Sequence, residues 1–576
     1  MQKTIVKHIA INFCLAAALA AGCGCGSMHA EHNGEAFEYR DIYLPEYNEK
    51  SNSALDLQTI DESWGIWGHN LSTVLPDDPS KQVYAHVGGA TEYDQFCFSS
   101  PRLFEYICDY IRDNYTFEDS VKFAILPNDN DIVCLCTECK RIGNTKGNAS
   151  PAVDRLIEKL CKKYPEHTFF TSYYSTTSDV PKSPMPVNSG VLVSAMDYPL
   201  APGETQKEKD FMALLKKWDA VAPDIYIWDY VNNFDDYFTP FPVFTVMQRR
   251  LKNYRDAGVT GIFLNGSGQD YSVFSRLKKA VLAEMLINPE IDWKATLKQK
   301  AADLYPVAGD DIVDFMIKQE DMVASGGKPL PMYEGVEKAL QIYLPEKEFV
   351  DFYAKLLRHK DRASGQERED LIQMTEAMAL TALEIKRING DLTDTEPLKA
   401  NLKKLIGKDM EYYNEGCWKI GKYITQYESM EEDAAATAST NLLKGATLKA
   451  RTPLDEDYPD ISILTDGRFG ISSNYHNGLL LNSADPQMVI DIPSKPGMKT
   501  LKVSLIYNPG FKIGLPEEVY VTVDGVRKPS KVPSRPDEGP GHCFLEFDVA
   551  GGSDILLTLK KNPDIKTIAL DEIQGF

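Results

Sequence analysis

The feature that most constrains this chain is an alternation running from about residue 37 to residue 290, in which short β-branched and aromatic runs are separated by amphipathic helical stretches. Parallel neighbouring strands need a crossover, usually a helix, because a hairpin returns the chain antiparallel, and this alternation supplies such crossovers. The predicted strands are Phe37–Tyr43, Leu55–Gln58, Trp64–His69, Val121–Pro127, Thr168–Tyr174, Gly190–Met196, Asp224–Tyr230 and Gly261–Asn265. Between several of them apolar residues recur every three or four positions. Leu103, Phe104, Ile107, Cys108 and Ile111 form one stripe, Val153, Leu156, Ile157, Leu160 and Cys161 a second, and Phe244, Met247, Leu251 and Tyr254 a third. Such stripes place the helices against a core. Eight strands of this kind predict an α/β fold built on a (β/α)8 TIM-like barrel over residues 36–290. The link between the second and third strands is too short for an ordinary helix.

Beyond the barrel the texture changes twice. From about Ser275 to Glu432 the pattern is wholly helical, with Leu371, Met374, Met378, Ala382 and Ile385 marking one long helix. Residues 291–434 are therefore read as a helical region. From Ala435 alternating runs return, namely Met488–Ile492, Thr500–Tyr507, Val519–Val523, Cys543–Val549 and Asp554–Leu559, separated by Gly, Pro, Asn and Asp turns. Residues 435–576 thus predict a C-terminal β-sandwich.

At the other end, Lys3 and Lys7 precede an apolar run from Ile9 to Leu19 that is too short to span a membrane. Ala20-Ala21-Gly22-Cys23 resembles a bacterial lipobox, with Ala20 where a larger aliphatic residue is usual. Residues 1–22 are read as a lipoprotein signal peptide, Cys23 as the lipidated residue and 23–35 as a linker, with plain secretion as the alternative. This places the chain in the cell envelope of a Gram-negative bacterium, anchored to the outer membrane or periplasmic. The lipid would be its only link to a membrane.

Charge narrows the partners. Lys and Arg total 62 against 84 Asp and Glu, a net charge of −22, which opposes binding to nucleic acid or to anionic lipid headgroups. There is no His-Glu-x-x-His, Walker lysine loop, Gly-x-Ser-x-Gly elbow or Gly-x-Gly-x-x-Gly after a strand. Carboxylates remain, and they gather where strands of such a barrel end, which is where its active sites lie. The third predicted strand delivers His69 and Asn70, and the fourth Asn128-Asp129-Asn130-Asp131. The sixth leads to Asp197, the seventh ends Trp228-Asp229-Tyr230 and continues to Asn232, Asn233, Asp235 and Asp236, and the eighth ends at Asn265. Acids and amides bind sugar hydroxyls, and rings pack on apolar sugar faces. Each group also has a plainer reading. Asn-Asp-Asn-Asp makes Asx-turns, Trp-Asp-Tyr makes a packing unit, and His69 makes a core histidine.

The cysteines are too sparse for a disulfide scaffold. Cys134, Cys136 and Cys139 alone are clustered. They can supply three of the four ligands of a structural zinc, completed by Cys97, Cys161 or a His. They can equally form one disulfide and a free thiol, or serve as small buried hydrophobes.

Five segments carry a resemblance: Phe37-Glu38-Tyr39-Arg40-Asp41, Trp67-Gly68-His69-Asn70, Pro127-Asn128-Asp129, Cys134-x-Cys136-x-x-Cys139 and Ile227-Trp228-Asp229-Tyr230. Over roughly residues 36–290 they resemble the domain-of-unknown-function family 4838, which is similar to glycoside hydrolase family 163. The resemblance implies a secreted barrel enzyme acting on complex glycans or glycoproteins, of the endo-β-N-acetylglucosaminidase kind, in which the substrate's acetamido group attacks. The stretch from Asn441-Leu442-Leu443 through Leu464-Thr465-Asp466-Gly467 looks like a discoidin or galactose-binding-like module.

A glycosidase needs two opposed carboxylates. By strand count, Asp129 follows the fourth strand and Asp229 ends the seventh, the positions of the acid/base and the nucleophile in many retaining barrel enzymes. These two are the expected catalytic pair, and catalysis of this kind requires no cofactor. A non-catalytic glycan-binding lipoprotein is the alternative function.

Overall fold

In the computed structural model of the chain, residues 35–576 are described, apart from 409, 456–457, 472–477, 482–485, 537–538, 564 and 566. The expected leader and Cys23 lie outside the described residues. Strands β1 (Tyr39–Tyr43) and β2 (Trp64–Ile66) are followed by a hairpin of β3 (Tyr84–Val87) and β4 (Ala90–Phe96). Then come β5 (Lys122–Ala124), β6 (Thr168–Tyr173), β7 (Ser189–Ser194), β8 (Asp224–Tyr230) and β9 (Gly261–Asn265). Apart from the hairpin, these strands form one sheet of seven, ordered β1-β9-β8-β7-β6-β5-β2, and every neighbouring pair is parallel.

The predicted strand Leu55–Gln58 does not form, so the sheet has seven strands where eight were expected. The segment lies between two short helices, Glu49–Ser53 and Ile60–Ser63. Gln58 instead imitates a single rung of the missing strand. Its backbone N–H donates to the Arg40 carbonyl at 2.9 Å, and its side-chain carbonyl accepts from the Arg40 N–H at 2.8 Å. One residue therefore satisfies the edge of β1 at the position where a ladder would otherwise be needed.

The sheet curls until its two edges meet through side chains. Tyr39 on β1 and Trp64 on β2 contact edge to face, with ring centroids 6.1 Å apart, although β1 and β2 share no ladder among the described residues. Inward-facing residues of successive strands fill the interior, chiefly Tyr39, Trp64, Phe170, Tyr226 and Phe263. Tyr39 stacks on Tyr226 at 5.2 Å, and Trp64 touches Phe170 at 4.9 Å. Rings this large fit because glycine lies beside them. Phe170 is in register with Gly190 and Tyr226 with Gly261, where an added Cβ would come 2.4 Å and 2.6 Å from the respective rings.

Outside the sheet, the predicted helical stripes occupy buried faces. Leu103, Ile107 and Ile111 are buried on the helix Pro101–Asn114, and Met247, Leu251 and Tyr254 on the helix Phe244–Asp256. The expected helical region runs from Trp293 to Thr437. It shares one apolar cluster with the sheet's outer layer, extending from Phe37 to Ile471, and residues 36–576 form a single compact unit.

The C-terminal region is rich in strands. One of its sheets holds β10 (Lys449–Ala450), β12 (Gln487–Pro493), β15 (Glu518–Val523), β16 (Val526–Arg527) and β18 (Asp554–Lys560). The other holds β11 (Leu479–Leu481), β13 (Thr500–Tyr507), β14 (Ile513–Gly514), β17 (Gly541–Asp548) and β19 (Thr567–Gly575). Residues of both, such as Ile490 and Leu557 from the first and Val503 and Ile573 from the second, belong to one buried cluster. No helix among the described residues is long and apolar enough to cross a membrane.

The close fit of ring over glycine sets a test. Gly261→Ala should destabilise the protein by about 1–3 kcal/mol, as overpacking does, because Tyr226 is held between Tyr39 and Phe170 and cannot move aside. Gly203→Ala, where an added Cβ meets nothing within 4 Å, should leave chemical unfolding unchanged. Equal unfolding midpoints for the two variants would contradict this account of the interior.

Candidate active site

The C-terminal ends of the parallel strands open into a cavity of about 310 Å³. Of the residues singled out in the sequence, His69, Asp129, Trp228, Tyr230 and Asn265 line it. Ser172, Tyr174, Tyr333 and Glu415 also line it.

Asp129 stands on the loop leaving β5, and that loop is fixed from both sides. Gln95, 1% exposed near the end of β4, donates to the Asn128 carbonyl at 3.1 Å and to Asn130 Oδ1 at 3.0 Å, and it accepts from the Asn128 N–H at 3.0 Å. Asn130 Oδ1 also accepts from the Ile132 N–H at 3.0 Å, the Asx-turn that the sequence allowed. Asn128 is spent on the same framework, donating to the Asp94 carbonyl at 2.9 Å. Asp129 itself faces the cleft, where the Tyr174 hydroxyl donates to it at 3.1 Å. His69 is pinned to this loop by a contact of 2.6 Å between Nδ1 and the Pro127 carbonyl. A carbonyl only accepts, so Nδ1 carries the proton in this contact.

The second carboxylate in the cleft is Glu415, which no motif or periodicity singles out. It enters from a turn ahead of the helix Ile420–Thr437. The polar run after β8, expected to touch substrate, holds that turn in place. The Glu415 N–H donates to the Phe234 carbonyl at 2.9 Å, and the Phe234 N–H donates to the Met332 carbonyl at 2.7 Å. Asn233 donates to the Glu334 carbonyl at 2.7 Å. Two loops of the helical region are thus docked so that the Tyr333 hydroxyl donates to Glu415 at 3.1 Å. The cleft walls partly strip water from the Glu415 carboxyl while the residue keeps solvent contact at the mouth, and this raises its pKa. The bond from Tyr333 opposes the rise, and the negative charges of Asp235 and Asp129 add to it.

Several expected site residues lie elsewhere. Asp229, expected as one of the catalytic pair, is fully buried and faces away from the cleft. Alternation along β8 sends Trp228 and Tyr230 inward and Asp229 outward. There its carboxylate pairs with the Arg250 guanidinium and accepts from the Tyr254 hydroxyl at 2.6 Å, tying β8 to the helix Phe244–Asp256. The strand count behind the assignment also shifts by one, because Leu55–Gln58 is not a strand. Asn70 closes a turn by donating to the Trp67 carbonyl at 2.9 Å. Asn232 is buried against Lys278, whose ammonium donates to it at 2.8 Å. Asp236 accepts from the Phe238 and Thr239 N–H groups at 2.8 and 3.1 Å, and its burial pushes its pKa up to about 6. Asp235 and the exposed Asp197 act on the cleft as charges, Asp235 on Glu415 and Asp197 on Tyr174.

Metal-ligating chemistry gathers outside the cleft. The sulfurs of Cys97, Cys134, Cys136 and Cys139 all lie within 4.8 Å of one another, and none of the described cysteines is disulfide-bonded.

The buried ion pair gives a prediction. Asp229→Asn should cost about 3–5 kcal/mol of stability, because it leaves the Arg250 charge buried without its partner. Denaturant unfolding measures this, and an unchanged midpoint would return Asp229 to consideration as a functional group.

No curated protein matches the sequence. Among solved structures, a family GH115 4-O-methyl-α-glucuronidase with specificity for decorated arabinogalactans aligns at 12% identity and TM-score 0.36, covering 83% of this chain and 67% of its own. A GH138 enzyme targeting pectin rhamnogalacturonan II aligns at 10% identity and TM-score 0.31, covering 94% of this chain and 86% of its own. A CBM32 module of a family 31 glycoside hydrolase from Clostridium perfringens aligns at 16% identity and TM-score 0.17, covering 24% of this chain and 98% of its own. The family described as "Domain of unknown function (DUF4838)" matches residues 28–316, just over half of the chain, and the protein belongs to it.

Proposed function

We propose that this protein is a glycoside hydrolase acting on complex glycans in the cleft at the strand ends, with Asp129 and Glu415 as its working carboxylates. The observation that carries the proposal is their convergence. Two acids from unrelated loops line one cavity, each held by a tyrosine hydroxyl, beside the rings of Trp228 and Tyr230. Glu415, its pKa raised by its surroundings, is suited to hold a proton and deliver it to the leaving oxygen as the glycosidic bond breaks. Asp129 is its negative partner, placed to offset the positive charge that develops at the anomeric carbon. In the acetamido-assisted chemistry of the enzymes that the sequence resembles, that partner orients and polarises the attacking acetamido group. Complex N-glycans are therefore the first substrates to test, and Trp228 is the platform for an apolar sugar face.

The test is a screen of the purified protein against N-glycoproteins and plant glycans, read by the mass of released oligosaccharide. On a substrate so found, Asp129→Asn and Glu415→Gln should each lower turnover by roughly 10²–10⁴-fold with unfolding midpoints unchanged. Near wild-type rates in both variants would remove the pair from the chemistry. Retention of a glycan without release by the wild type would make the protein a binding lipoprotein instead.

The electrostatics of Glu415 give a signed pH effect. The Asp235 charge raises the Glu415 pKa, so Asp235→Asn should lower it. Glu415 then loses its proton at lower pH, and the alkaline limb of kcat/KM should move toward acid. An unmoved limb in an active variant would show that Glu415 is not the acid.

A further inference from the structure

We propose that Cys97, Cys134, Cys136 and Cys139 form a structural tetrathiolate zinc site that fastens the β3–β4 hairpin to the loop carrying Asp129. The first argument is geometric. Zinc binds thiolate at about 2.3 Å in a tetrahedron, whose edge is then about 3.8 Å by elementary geometry. Cys97 Sγ lies 3.8 Å from Cys136 Sγ and 3.8 Å from Cys139 Sγ, and all four sulfurs fall within 4.8 Å of one another. A disulfide requires about 2.05 Å between sulfurs.

The second argument is contrast within one core. Cys108 and Cys161 belong to the same apolar cluster as these four, yet they stand apart from the group as ordinary buried thiols do. The four converge on a common point, and they reach it from two separate stretches of chain.

The third argument is the surrounding shell. A zinc ion with four thiolates carries a net charge of −2, so the sulfurs need donors. The His86 N–H points at Cys134 Sγ at 3.3 Å and the Cys139 N–H at Cys136 Sγ at 3.4 Å. The Ser99 hydroxyl lies 3.3 Å from Cys97 Sγ and 3.6 Å from Cys136 Sγ, so its one proton can serve either sulfur, and it accepts from the Cys139 thiol at 3.0 Å. Binding balances as four thiols and one Zn²⁺ giving the tetrathiolate complex and four released protons. No electron moves, so no oxidant is needed, and the bound metal shields the thiolates from oxidation.

The consequence for the cleft follows through Gln95. It lies two residues before Cys97, and it holds Asn128 and Asn130 on either side of Asp129. A metal joining Cys97 to Cys134, Cys136 and Cys139 closes this arrangement from the far side. This inference stands whether or not the cleft cleaves glycan.

Elemental analysis of the full-length protein purified without chelator should find about one equivalent of zinc. Protein produced with Co²⁺ should show the visible absorption of a tetrahedral cobalt–thiolate centre. Cys97→Ser should fall below about one-tenth of an equivalent of zinc, and Cys161→Ser should retain the metal. If Cys97→Ser fails to fold, the cobalt spectrum of the wild-type protein carries the test. Metal-free wild-type protein, whether its intact mass is that of free thiols or is short of two hydrogens per bridge, would overturn the assignment. So would zinc retained in a folded Cys97→Ser variant.

Discussion

A parallel sheet that curls on itself must fill its own interior, and this one does so with rings. Where closed (β/α)8 barrels commonly have smaller aliphatic layers, this curled sheet has Tyr39, Trp64, Phe170, Tyr226 and Phe263. Much else depends on that filling. It brings β1 and β2 together across a gap that no backbone ladder bridges. It also requires glycine at 190 and 261, where any Cβ would collide with the neighbouring ring. Because the rings occupy the lower interior, the strand ends above them become the floor of a cleft, with Trp228 and Tyr230 at its surface.

The cleft is not the property of the sheet alone. One of its acids stands on a loop of the sheet, and the other arrives from the helical region on a turn held by backbone bonds to Phe234. The run Asn232 to Asp236 works as a docking edge, its polar groups spent on carbonyls, amides and an ammonium of its neighbours. The shared apolar cluster between sheet and helices is the larger-scale counterpart of those bonds. The sheet and the helical region therefore build one cleft together, although the sequence divides them near residue 290.

The legible parts were those with local causes. Residue patterning found the seven strands of the parallel sheet, and three-and-four spacing found several helices and their buried faces, whereas the β3–β4 hairpin and β19 were not picked out. Leu55–Gln58 misled because a short apolar run has no feature separating a strand from a segment that makes a single rung. Asp229 was legible and misread. Alternation between Trp228 and Tyr230 already required the residue between them to face the helix layer. Tyr174 was within reach by the same logic, two residues beyond Ser172 at the end of a predicted strand. Glu415 and Tyr333 were not, since they sit in turns without periodicity and reach the cleft only through tertiary docking. The cysteines fall between these cases. Spacing picked out three of them, and only the hairpin's fold brings Cys97 beside the rest.

Trp67 and Trp228 stack with their centroids 5.2 Å apart and their planes 17° from parallel, and Trp64 touches Trp67 at 4.7 Å. Three of the chain's six tryptophans are thereby gathered into one optical assembly, with Trp228 exposed to the cavity. Transitions of indoles this close couple, so the stack adds a coupled contribution to the near-ultraviolet dichroism of the protein. Anything resting on Trp228 changes the polarisability at one end of the stack. The molecule thus carries its own chromophore for occupancy of the cleft, requiring neither label nor turnover.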